Sequence, residues 1–109
     1  MERVLVVLTN LPDRVSAERL AGVLVERRAA ACVNIMAECR SVYRWQGVVE
    51  HAEEVPLLIK TTEAAYPELG KLIREHHPYE LPEIVAVPVA AGLPAYLDWV
   101  AQETVNEKA

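Results

Sequence analysis

Two neighbouring stretches of period-two alternation constrain this chain more than anything else in it. From Val48 to Thr61 the side chains alternate. Val55, Leu57, Ile59 and Thr61 share one face, and Leu58 and Lys60 the other. Just before them Ser41-Val42-Tyr43-Arg44-Trp45 alternates too, and Gln46-Gly47 between the runs supplies a turn, because glycine tolerates positive φ. The pattern predicts one long hairpin over about residues 40–61. Such a hairpin overreaches the small core that 109 residues can build. Its tip must project, and an exposed edge invites pairing with another chain.

The rest of the sequence fits around that hairpin. Residues 3–9 are a continuous, β-branched apolar run, which predicts a strand covered on both faces. Pro12-Asp13 ends it. From Asp13 to Ala30 the period changes, with Leu20, Val23, Leu24 and Ala30 along one helical stripe. Asp13 and Glu18 come early and Arg27-Arg28 late, which suits the helix dipole. Residues 31–35 return to a strand, and residues 36–40 predict a bulge or bend. Residues 62–77 predict a second helix, with Leu69, Leu72, Ile73 and His76 at helical spacing, Pro67 tolerable in the first turn and Pro78 as the stop. Ile84 to Val89 is another strand, Gly92-Leu93-Pro94 opens a last short helix, and residues after about 103 should fray.

The order β-α-β-β-α-β-α contains the strand-helix-strand unit twice. This predicts an α+β chain, a ferredoxin-like split β-α-β sandwich forming a single domain over residues 1–109. One antiparallel sheet would carry two main helices on one face. The terminal helix is too short to cover the other face, so a second subunit is expected there.

The chain carries a formal net charge of −5, which argues against nucleic acid as a partner. No apolar run reaches the roughly 20 residues of a membrane span. The apolar start is too short for a signal peptide and lacks a cleavage site, so a cytoplasmic location is expected. Cys32 and Cys39 do not have zinc-knuckle spacing and read as free thiols.

Five segments, taken in order, resemble the CutA divalent-cation-tolerance family. They are Ala30-Ala31-Cys32-Val33-Asn34-Ile35, Tyr43-Arg44-Trp45-Gln46-Gly47, Leu58-Ile59-Lys60-Thr61-Thr62, His76-His77-Pro78-Tyr79-Glu80-Leu81-Pro82-Glu83-Ile84 and Tyr96-Leu97-Asp98-Trp99. The resemblance implies a homotrimer built by strand pairing between subunits, with an architecture like that of PII signalling proteins. It also implies a non-enzymatic role in tolerance of divalent metals, copper above zinc, without an organic cofactor.

The family's metal site would fall on His76 and His77, together with a cysteine near the end of the first strand. Thr9 stands at that cysteine position, and threonine is a poor ligand for soft metals. Adjacent helical residues also point about 100° apart. On spacing alone, His76 belongs to the apolar stripe as a half-buried ring, and His77 caps the helix end as a cation. A carboxylate from another chain, with Glu54, Glu80 and Glu83 as the candidates, would have to complete a set around His77.

A second cluster is Tyr43, Trp45, Lys60, Tyr79, Glu80 and Glu83, which would line a cleft between subunits. Lys60 sits in an otherwise apolar strand and needs a partner: Glu80, Glu83, a small anionic ligand or a partner protein. Nothing in the sequence sets a nucleophile beside a base. The four glycines are scattered and form no phosphate loop, so no catalysis is expected.

Overall fold

The computed structural model describes residues 2–104. The elements are β1 (Val4–Leu11), α1 (Arg14–Glu26), β2 (Cys32–Ile35), β3 (Cys39–Trp45), β4 (Val48–Thr62), α2 (Tyr66–His76), β5 (Val85–Pro88) and α3 (Pro94–Glu103). The sheet runs β2-β4-β1-β5, with β3 continuing beside β4, and all pairings are antiparallel. This is the expected ferredoxin-like arrangement.

Alternation along the strands decides where the core lies. Leu5, Val7 and Leu11 of β1 and Val55, Leu57 and Ile59 of β4 face α1 and α2. They pack with Leu20, Leu24, Leu69, Leu72 and Ile73 into one buried cluster. The opposite face carries Val6, Leu8 and Leu58, all half-buried, beside Val85 and Val87, each 48% exposed. On that face α3 shields only one end, where Val100 meets Val4 and Ala31.

The hairpin is as long as its alternation predicts. β4 has 15 residues and pairs with β2 through its second half and with β3 through its first. Fully extended at about 3.4 Å per residue such a strand would reach about 50 Å, enough to run the whole of the molecule's longest extent, 44 Å. Its turn places Gln46 at φ 50° and Gly47 at φ 83°, the positive pair that a tight hairpin turn requires. Between β2 and β3 the register shifts by one residue, since Ile35 faces Leu57 while Cys39 faces Glu54. Residues 36–38 therefore oppose only Val55 and Pro56, which is a bulge. Pro56 cannot donate to the ladder, and its carbonyl accepts from the Met36 amide instead.

Two expectations change at the helix ends. α1 stops at Glu26, not Ala30. Arg28 turns left-handed at φ 59°, and the Arg28 and Ala29 amides cap the Val25 and Leu24 carbonyls. The Arg28 guanidinium then reaches the carbonyls of Gln102, at 2.6 Å, and Glu103. It does serve a helix C-terminus, but that of α3 rather than its own. Asp13 caps α1, accepting from the Ser16 amide at 2.8 Å. The fraying expected beyond residue 103 falls largely on residues 105–109, outside the described residues.

Candidate functional site

Where the hairpin leaves the core, the turn after α2 folds back over it and encloses a cleft of about 970 Å³. Tyr43 and Trp45 of β3 form one side. Residues 78–83 form the lip, and Asn10 and Glu54 line the interior. Tyr79, Glu80 and Glu83 thus share one cleft with Tyr43 and Trp45. Lys60 does not line it. Lys60 projects from the open sheet face, and its amine donates to the side-chain oxygen of Asn34 on the neighbouring strand β2.

The lip is held by His77. Pro78 forbids helical backbone at the residue before it, so His77 leaves α2 in an extended conformation, φ −86° and ψ 134°. That swing exchanges the expected roles of the paired histidines. His76 is exposed, and His77 is only 7% exposed. Nδ1 of His77 accepts from the Tyr79 amide at 3.1 Å, so Nε2 carries the proton and donates it to the Asn10 carbonyl at 2.7 Å. Burial lowers its pKa below 6.5, against the opposing pull of the Asn10 hydrogen bond and the Glu54 charge. A neutral ring therefore stands where a cationic cap was expected. Both its nitrogens are engaged, so a metal would have to displace one of these bonds.

Glu54 lies at the base of the cleft and is 7% exposed. It accepts from the Tyr79 hydroxyl at 2.8 Å. Desolvation and that bond to a carboxylate push the Tyr79 phenol well above its ordinary value, so it remains a donor. Asn10 donates to Glu83 across the lip at 3.3 Å. The sequence offers Glu54 only as one of three candidate carboxylates from another chain; here it lies near His77 of its own chain. Its odd standing, buried while the rest of the segment from Glu50 to Glu53 is mostly exposed, follows from the cross-sheet packing that opens at Val55.

Thr9 is fully buried, and its hydroxyl has no hydrogen-bond partner among the described residues. The alternation of β1 turns it into the helix layer, while its neighbour Asn10 lines the cleft. An unpartnered buried hydroxyl costs free energy that an isosteric methyl group does not. Thr9→Val should therefore stabilise the fold, by about 1 kcal/mol in a urea titration. Among the described residues no group of three or more His, Cys, Asp or Glu converges as a metal cage, and Cys32 and Cys39 are both free.

The sequence pattern of the CutA1 divalent ion tolerance proteins matches residues 5–103. The chain belongs to the CutA1 family. It is 48% identical over 99 residues to the divalent-cation tolerance protein CutA of Thermus thermophilus, spanning 91% of this chain and 96% of that one. The Thermus structure superposes with a TM-score of 0.90, covering 96% of this chain and 100% of that chain. A mouse relative, Protein CutA, is 43% identical over 93 residues; the match takes in 85% of this chain but only 52% of the mouse protein. A solved structure described as a PII-like protein CutA from Nostoc is 41% identical with a TM-score of 0.87, covering 97% and 99% of the two chains. The CutA1 assignment agrees with the doubled β-α-β order and the overlong hairpin. Among the described residues no helix is long and apolar enough to cross a membrane.

Proposed function

We propose that the protein is a non-enzymatic, cytoplasmic homotrimer that contributes to divalent-cation tolerance by binding metal ions weakly at the rims of its clefts. The observation that carries this reading is charge. Glu54, Glu80 and Glu83 line one cleft, no lysine or arginine among the described residues lines it, and the whole chain has a net charge of −5. Such a lining concentrates cations. Copper is favoured over zinc because it is held more strongly by the same nitrogen and oxygen ligands. One protomer does not close a coordination shell, so binding is loose. Glu80 and Glu83 would start the set, and exposed ligands such as His76 from a neighbouring subunit would add to it.

Three observations support the rest of the reading. The apolar face around Leu8 and Leu58 calls for a cover, and a trimer supplies one. The nitrogens of His77 are occupied, which leaves the cleft without a histidine base for catalysis. Two free thiols suit a reducing compartment. Calorimetry with Cu(II) and Zn(II) tests the metal role. Glu80→Gln/Glu83→Gln should weaken copper binding about tenfold, or 1.4 kcal/mol, and His76→Ala should weaken it less. Unchanged copper affinity in the carboxylate variant would overturn the rim site.

A second reading is a PII-like sensor whose clefts take a small molecule. It is favoured by the size of the cleft and by the likeness to the Nostoc structure. A metabolite thermal-shift screen that finds no stabilising compound would count against it.

A further inference from the structure

The interior of the cleft differs chemically from its rim. Glu54 is buried, lines the cavity, and has the Tyr79 hydroxyl as its one side-chain donor among the described residues. The described salt bridges, Arg3–Glu63 and Arg40–Glu53, both lie elsewhere. A desolvated carboxylate without a counter-cation is expensive to keep charged, and a ligand that brings the cation relieves that cost. A cavity of about 970 Å³ is far larger than one ion needs and falls within the range of organic ligands. Its side walls are Tyr43 and Trp45, 44% and 38% exposed, and Pro78 and Leu81 add apolar surface. Carboxylate at the base with aromatic faces at the side is the combination that holds ammonium and guanidinium groups by charge and cation–π contact.

We infer that the cleft interior binds an organic cation, an alkylammonium or alkylguanidinium group, with its charge against Glu54 and its stem along Trp45 and Tyr43. This rests on the reading of the cleft as the binding site, but not on the metal at its rim. The cation would be either a free small molecule or a basic side chain presented by another protein. A bare divalent ion is the weaker occupant of the interior because it gains nothing from the aromatic walls and finds no converging cage among the described residues.

The test is a titration series on the full-length protein, followed by calorimetry. The probes are butylguanidinium, butylammonium, neutral butylurea, butyrate, and two otherwise identical peptides with a central arginine or a central citrulline. The expected result is binding of both free cations and no binding of butylurea or butyrate. Glu54→Gln, which keeps an acceptor for Tyr79, should weaken the cations about tenfold. Trp45→Leu should weaken them about fivefold, with recovery in Trp45→Phe. An arginine peptide that binds tighter than butylguanidinium assigns the cation to a protein partner; the reverse order assigns it to a small molecule. Butylurea binding as well as butylguanidinium, or none of the cations binding at all, would overturn the inference. A wild type that binds guanidinium but no copper would overturn the rim reading alone.

Discussion

Leu8→Glu/Leu58→Glu should turn the proposed trimer into monomers. The two side chains are register partners on the sheet face that α1 and α2 leave bare, and α3 covers only its far end. In a trimer that face becomes interior, where each unpaired carboxylate costs several kcal/mol. In a monomer the same carboxylates stay in water and cost little. Sedimentation equilibrium should give the mass of three protomers for the wild type and of one for the variant, with unchanged far-UV circular dichroism. A wild type that sediments as a monomer, or a variant that keeps the wild-type mass, would contradict the assembly.

The second large effect is expected at His77. Its ring ties the end of β1 to the lip of the cleft, and His77→Ala leaves the Asn10 carbonyl and the Tyr79 amide without that partner. The expected loss is about 2–4 kcal/mol in urea unfolding, with weaker binding at the cleft because the lip is no longer fixed. The ring also gives the protein an acid-sensitive limb. Its folded pKa lies below the ordinary 6.5, so between that lowered value and 6.5 the unfolded chain binds more protons than the folded one. The contribution is therefore complete above pH 6.5 and falls away as the pH drops through the window. The Glu54 carboxylate also faces the ring, so Glu54→Gln is the control. His77→Gln should flatten the limb that begins as the pH falls below 6.5. An unchanged limb would contradict the assignment of a neutral ring.

Much of this was legible in the residues, because backbone periodicity leaves a direct trace in sequence. The alternation of Val55, Leu57, Ile59 and Thr61 against Leu58 and Lys60 appears unchanged in burial. Gln46-Gly47 makes the turn, and the ambiguous residues after Ile35 hold the bulge. The misreadings fall where a chain reversal breaks the period. Helical spacing places His76 with Leu69, Leu72 and Ile73, but Pro78 unwinds the last residue and sends His77 inward instead. Ala29 and Ala30 look helical by composition, yet Arg28 has already turned the chain. Lys60 and the aromatic pair share one hairpin, which in sequence groups them at one cleft. The pleat sends Lys60 to the open face, where it meets Asn34. Glu54 is legible in sequence only as a candidate carboxylate for His77, because its bond to Tyr79 spans 25 residues along the chain.

The most direct measurement of cation entry is copper quenching of Trp45 fluorescence in a Trp99→Phe background. Trp99 lies on α3, away from the cleft, and Trp45 lies in its wall. Their removal and retention leave one reporter at the site. Cu(II) should quench it saturably in the wild-type cleft, and about tenfold more copper should be needed in Glu80→Gln/Glu83→Gln. Quenching that is absent, or identical in the two proteins, would contradict the cleft as the place where cations bind.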